Sequence, residues 1–389
     1  MKNKILYFLK IFLINILILY GLLYSLEIFI NYKNNKLFKK TRLYYINSLN
    51  KETNIYLNFA PYKILDKKNK LLPLSGYENS KTLLCLDEKN KPVYYLSDDF
   101  GFNNSKHDRN EMINFLLIGD SYVQGMCVDT KNNLNSQFRR LSYNTISLGI
   151  GGNGPLLELA TFKEYEENYT YENIILFITP ENDFNDLKNE INNDILIRYL
   201  NEKNFKQKLT DKKNQEIKFS ILNSFFGKKT QRILNDSLSV YHFNLKSLLN
   251  LLEQSVKNKK KSFNNYDYLL DKNLDDAFLK IINEFINITS KNNKKIYVVF
   301  NSVTPNILYP KSQDIKDYKN LLLKSKLIPI KTLLKNRNIS YFDFNEYLLN
   351  NYNEENIAKI FKKIDGRWDH YTEIGFYELV NQIETRLLQ

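Results

Sequence analysis

The first pattern along the chain is a nearly continuous apolar stretch, residues 5–31, broken at Lys10, Asn15 and Glu27. Its centre, roughly Ile11–Leu26 with Tyr and Phe flanks, supplies about 20 residues, the length at which a helix crosses a bilayer once. No small-residue cleavage site follows, so an uncleaved single-pass anchor (residues 1–32) is expected rather than a signal peptide. A helical hairpin or a buried core helix is the alternative. Lysines stand on both flanks, Lys2, Lys4 and Lys10 before and Lys33, Lys36, Lys39 and Lys40 after, so charge asymmetry does not decide the orientation.

Residues 33–92 are polar and mixed without a clear period, which reads as a stem or accessory segment. Val93–Leu96 then reads as a short strand, and Asp98-Asp99-Phe100-Gly101 as a turn. From there, over residues 93–389, apolar strand candidates alternate with helical patterns. The strands are Phe115–Ile118, Asn144–Leu148, Asn173–Ile178, Ile296–Phe300 and Ile339–Phe344. Helical spacing falls on Leu156–Tyr165, Ser312–Asn336 and Thr372–Leu388. Such alternation predicts an α/β domain built on a doubly wound parallel sheet, with right-handed crossovers and the functional site at the carboxyl ends of the strands. Between the third and fourth strands, residues 186–290 are too long for one crossover. Their helical pattern predicts a cap inserted beside the site.

Composition narrows this only slightly. The net charge is +13, but lysine, asparagine and isoleucine are spread through the whole chain rather than gathered in a stripe, so no nucleic-acid partner is expected. The two cysteines, Cys85 and Cys127, are too few for a disulfide framework or a cysteine-rich zinc site, and their spacing leaves open whether they pair. With only His107, His242 and His370 present, a metal site of several histidines is not expected, and any imidazole base must be one of these three.

Four short blocks fall at strand ends. Gly119-Asp120-Ser121 follows the first strand of the alternating region and leads directly into a helical segment, so Ser121 sits at a sharp turn with its N–H in the first helical turn. A helix-capping serine has the same local pattern. After the second strand comes the glycine run Gly149-Ile150-Gly151-Gly152-Asn153-Gly154, which lets backbone N–H groups approach a ligand and lacks the G-K-[ST] of a P-loop. After the third comes Glu181-Asn182-Asp183, where Asn182 is either an amide donor or a helix cap. Before the last helix comes Asp365-Gly366-Arg367-Trp368-Asp369-His370-Tyr371-Thr372, a base with acidic neighbours.

In order and spacing these blocks resemble those of the SGNH (GDSL) hydrolase family. The resemblance implies a flavodoxin-like three-layer sandwich with a five-stranded parallel sheet and a helical insertion, preceded here by one transmembrane helix. It also implies a serine-dependent ester hydrolase without cofactor or metal. Carried over position by position, Ser121 becomes the nucleophile and His370 the base. The N–H groups of Ser121 and Gly152 and the side chain of Asn182 become the oxyanion hole. Arg367 occupies the place where the family usually carries its acid, which leaves Asp365, or alternatively Asp369, to orient the imidazole. Asp365 is favoured because adjacent side chains rarely fold back on each other. Upstream, Ser97–Phe102 resembles an approach motif of envelope-anchored members, with Asn103 or Asn104 where arginine is usual. The expected substrates are acyl esters of carbohydrate or envelope polymer on the periplasmic side of a membrane. O-acyl transfer to a sugar hydroxyl, or glycan binding without catalysis, are the alternatives.

Overall fold

The computed structural model describes residues 2–38, 55–67, 70–87, 91–104, 111–238, 267–364 and 367–389. The chain divides into two compact units, residues 1–50 with 225–265, and residues 51–224 with 266–389. In the first, helix α1 (Lys2–Phe38) contains Lys10–Ile30, long and apolar enough to cross a membrane, a criterion that signal sequences and core helices also meet. Most of its apolar side chains, Phe12, Leu17 and Leu22 among them, are exposed, while Ile30 is buried.

The second unit opens with a three-stranded sheet, β1 (Ile55–Leu57), β2 (Lys81–Leu86) and β3 (Pro92–Leu96), in which β2 pairs parallel with β1 and antiparallel with β3. The segment expected to be a stem is therefore joined to the expected strand at residue 93 by a shared sheet. The sequence hid β1 and β2 because the Thr82–Cys85 stretch of β2 is buried throughout and does not alternate.

The main sheet comprises β4 (Ile113–Ile118), β5 (Thr145–Ser147), β6 (Tyr171–Ile178), β7 (Lys295–Phe300) and β8 (Tyr341–Asp343), each a strand the sequence placed to within a few residues. All pair in parallel in the order β5-β4-β6-β7-β8. Counted along the chain this is 2-1-3-4-5, the flavodoxin-like doubly wound order, whose reversal beside β4 opens a crevice at the carboxyl edge. Central β6 is buried without interruption from Ile174 to Ile178, as a strand covered on both faces must be.

Helices complete the layers. Short α2 (Ser121–Gln124) follows β4, α3 (Leu134–Arg140) precedes β5, and α4 (Pro155–Tyr165) and α5 (Pro180–Glu190) follow β5 and β6. Of the inserted region, the described residues include the helices Leu196–Asn201 and Lys212–Leu238, with turns and irregular chain between them. Next, α6 (Lys272–Lys291) starts at Asp271, whose side chain accepts from the Asn273 N–H, and buries Leu274, Phe278, Ile281, Ile282, Phe285 and Ile286. That spacing is one helical face, and each large side chain it removes from water contributes about 2–3 kcal/mol.

Two expected helices are interrupted. The pattern read as one helix over Ser312–Asn336 contains a wide turn at Leu321–Lys326 before α7 (Leu327–Asn336). Pro329 lies just beyond it, and a proline lacks the N–H for the carbonyl one turn back, so the ladder widens to accommodate it. A hairpin, β9 (Phe361–Ile364) and β10 (Arg367–Tyr371), comes next, and α8 (Glu373–Ile383) ends before a second wide turn, Glu384–Leu388.

Candidate active site

Four chain segments converge at the carboxyl edge of the sheet, and each is tied by hydrogen bonds to the turn that carries Ser121. That turn forms because Asp120 caps α2, its carboxylate accepting from the Tyr122 N–H at 3.0 Å. The helix then stops after one turn at Gly125, in the left-handed conformation (φ 77°) that closes a helix without a Cβ penalty. Ser121 opens the helix, so its N–H has no acceptor within it. It is 7% exposed.

Opposite it, His370 on β10 places Nε2 2.6 Å from Ser121 Oγ. The other ring nitrogen, Nδ1, meets the carboxylate of Asp369, which also accepts the His370 backbone N–H at 2.8 Å. Serine hydroxyl, imidazole and carboxylate thus stand in line. The sequence favoured Asp365 as the acid; Asp365 lies outside the described residues, as do His107 and His242. The objection to Asp369 was that adjacent side chains rarely fold back on each other; the segment expected as a loop is instead a strand, on which neighbouring side chains ordinarily point to opposite faces. The β9–β10 register slips between Trp368 and Tyr371, and at that irregularity Asp369 and His370 turn to the same side. Tyr122 backs the imidazole, its ring 4.8 Å from that of His370, and Tyr371 holds the end of β10 down by accepting the Ser302 N–H at 2.8 Å.

The third block is joined through Asn182, whose amide nitrogen donates to Asp120 and to Asp186, each at 3.2 Å. Both acceptors are carboxylates, so the amide expected to face an oxyanion is engaged beside it. The glycine run is joined through Gly151, whose N–H donates to Gln124 on α2 at 2.9 Å. Gly152 follows in the left-handed region (φ 81°). Sequence reading missed Gln124 and its partner Asn58, since neither belongs to a motif. It gave Asn103 and Asn104 no role, yet Asn103 donates to the Gln124 carbonyl at 2.9 Å and Asn104 clasps Ser147 through its N–H and its carbonyl.

Electrostatically the site has two sides. On the histidine side, burial pushes the Asp369 carboxyl up, but its hydrogen bond and charge pairing with His370, with a smaller contribution from Lys362, outweigh this and leave it below the ordinary value. On the other side, between α4 and α5, burial dominates. It raises Asp120 despite the Tyr122 N–H and the nearby His370, and together with the neighbouring charge of Asp120 it raises Asp183 and, to about 7, Asp186. Glu190 is pushed up to about 8 by burial and by Asp186, although it accepts the N–H groups of Gly154, Leu156 and Leu157. Glu158 is raised by burial and by Asp183. Glu158 and Asp183 each keep one carboxyl oxygen without a hydrogen-bond partner among the described residues. No group of three or more histidine, cysteine, aspartate or glutamate side chains suited to a metal ion occurs among the described residues.

Cys85 of β2 and Cys127, just beyond α2, form a disulfide. It ties the first sheet to the turn of the serine.

The fold and this constellation define a class: a doubly wound α/β domain with a serine–histidine–aspartate line at its carboxyl edge. No protein-family model matches the sequence, and no curated protein matches it. Solved structures with some similarity include a member of the lipolytic protein G-D-S-L family from Veillonella parvula DSM 2008 (10% identity, 72% of this chain and 100% of that one, TM-score 0.38). An acetyl xylan esterase is similar at 15% identity over 71% of this chain and 100% of its own, with a TM-score of 0.35. A salicylyl-acyltransferase from a tetracycline biosynthetic pathway is 11% identical over 72% of this chain and 55% of its own, TM-score 0.37. At such scores these likenesses do not bear on what the protein does, which rests on its own site.

Proposed function

We propose that the protein is a serine-dependent ester hydrolase of SGNH type, with Ser121 as nucleophile, His370 as base and Asp369 as the carboxylate that orients the imidazole. The observation that carries this reading is the 2.6 Å contact from Ser121 Oγ to His370 Nε2, with Asp369 on the opposite ring nitrogen. In that tautomer Nε2 is unprotonated and accepts the serine proton as Oγ attacks the ester carbonyl. Charge develops on the carbonyl oxygen, where the Ser121 N–H at the helix start and the Gly152 N–H donate. Each such donor is worth about 3 kcal/mol of barrier when removed. Asn182 joins them if its amide rotates from Asp186. His370 then returns the proton to the leaving alcohol, and a second hydroxyl, activated by the same nitrogen, releases the acyl group. Water as that acceptor gives hydrolysis, and a sugar hydroxyl gives transfer with the same residues.

The proposed substrates are acyl esters of carbohydrate or envelope polymer, with α1 as a membrane anchor and the catalytic domain outside the cytoplasm. Support comes from the length and apolar character of Lys10–Ile30 and from the Cys85–Cys127 bond, since disulfides persist in oxidising compartments. The test is fluorophosphonate labelling of the full chain in detergent, beside Ser121→Ala and His370→Ala. Labelling that disappears in the first variant and falls sharply in the second is the expected result. A folded parent that does not label would overturn the reading.

A further inference from the structure

The segment ahead of the parallel sheet reaches into the site. Asn58, directly after β1, and Gln124, the last residue of α2, exchange side-chain hydrogen bonds: Gln124 Nε2 donates to Asn58 Oδ1 at 2.8 Å, and Asn58 Nδ2 donates back to Gln124 Oε1 at 3.2 Å. Tyr95 of β3 adds its hydroxyl, donating to Asn58 Oδ1 at 3.1 Å. The second lone pair of Gln124 Oε1 accepts the Gly151 N–H at 2.9 Å. Gln124 is fully buried and Asn58 is 8% exposed, so these bonds have little competition from water.

This arrangement controls one peptide in particular. The Gly151 N–H lies in the Ile150–Gly151 peptide, so its bond to Gln124 fixes the plane immediately before the Gly151–Gly152 peptide, whose N–H faces the developing oxyanion in the proposed reaction. Gly152 is also held from its other side. A Cβ there would stand 2.3 Å from the Tyr62 ring, which comes from the same upstream segment. Gln124 is three residues from Ser121, so one side chain ties the nucleophile's helix to the residue just before the oxyanion donor.

We propose that Asn58 and Gln124 are positioning residues for the oxyanion hole, an amide pair that places the Gly152 N–H relative to Ser121 and makes the upstream sheet part of the catalytic apparatus. The proposal rests on the reading of Ser121 as nucleophile. Misplacing a single donor costs less than the about 100-fold or more seen when one is removed. The expected loss for Gln124→Met, which keeps the bulk and removes the acceptor, is therefore about 10- to 100-fold in kcat.

The experiment uses the full chain in detergent with 4-nitrophenyl acetate as substrate and a trifluoromethyl ketone, which forms an oxyanion on the serine, as inhibitor. In Gln124→Met, kcat and ketone affinity should fall by similar factors while KM stays within about threefold, because only the oxyanion-bearing state needs the donor. Gln124→Glu, which keeps an oxygen facing the Gly151 N–H, should recover most of the loss. Hydrogen exchange of the peptide spanning residues 149–154 should quicken in Gln124→Met. Should Gln124→Met fail to fold, Asn58→Ala removes only the outer half of the pair and should show the same pattern at about a third of the size in log kcat. An active parent whose folded variants keep parental kcat and ketone affinity overturns the proposal alone. A parent that neither turns over ester nor binds the ketone overturns it together with the reading of Ser121.

Discussion

Two sets of carboxylates flank the same serine, and the protein holds them in opposite ways. Asp369 is half-buried against the histidine, and its carboxyl lies below the ordinary range because burial is outweighed by His370. Asp120, Asp183, Asp186, Glu190 and Glu158 are packed between α4, α5 and the strand ends, and all are raised, Asp120 by burial alone and the other four by burial and then by neighbouring carboxylates. The groups are chemically alike and the difference is company. A carboxyl hydrogen-bonded to an imidazole is lowered, whereas several sharing a dry space are raised. On the histidine side the carboxyl is thus lowered by its partner, and on the other side the carboxyls are raised by their burial.

The sharpest way to break this contrast is Asp369→Asn. The amide cannot serve as a negative partner for the imidazolium and favours the wrong tautomer, so kcat should fall by about 10⁴ with little change in thermal stability. Ester turnover and a melting curve on the same sample check it. A loss under tenfold would show that some other group orients His370.

On the opposite side the expected effect is on folding. Glu190 from α5 accepts three N–H groups at the start of α4, at 2.6, 2.9 and 3.3 Å. Glu190→Ala should cost about 2–3 kcal/mol by orphaning them. Equilibrium unfolding in urea measures it, and a cost below 0.5 kcal/mol by that measure, about the scatter of a surface change, would mean the carboxyl is not their effective partner.

The two regions should also respond to pH with opposite sign. Asp186 and Glu190 titrate near 7 and 8 in the folded chain and near 4 when unfolded, so between these values the folded state binds more protons. Their contribution to stability is fully kept below about pH 4 and is lost as pH rises through 7 to 8. For Asp369, lowered on folding, the contribution is present above the ordinary carboxyl range and is lost as pH falls through its folded value. The parent should melt several degrees lower at pH 8.5 than at pH 5.5, and Asp186→Asn should flatten that slope. A slope unchanged in Asp186→Asn would remove this residue from the account.

How much of this was legible beforehand follows from the range of the interactions. The five strands of the main sheet were read from local apolar runs, because a strand covered on both faces leaves that mark in its own residues. Ser121, the glycine run and His370 were read because each sits at a strand or helix end with a local signature. The Asn58–Gln124 pair spans 66 positions and has none. Asp369 was set second because adjacent side chains rarely fold back on each other; what brings it to His370 is a slip of register, a property of the hairpin rather than of the residues RWDHY. The break at Leu321–Lys326 was within reach, since Pro329 is visible in the sequence.

The smallest effect separates charge from contact on the histidine side. Lys362 of β9 donates to the Cys127 carbonyl, joining the hairpin to the end of the serine's turn, and its charge also helps keep Asp369 low. Lys362→Met retains most of the stem and removes both the donor and the charge. Because His370 does most of the work on Asp369, kcat/KM should fall by less than about threefold, while the lost hydrogen bond should cost about 1 kcal/mol of stability. The kinetic part should shrink further in 0.5 M salt, where a charge acting at a distance is screened to about 4 Å, while the Asp369→Asn defect should persist because that pair is in direct contact. Kinetics at low and high salt on both variants make the comparison. A Lys362→Met defect as large as that of Asp369→Asn would mean that the hairpin's attachment, rather than the carboxylate facing the imidazole, sets the reactivity of this side.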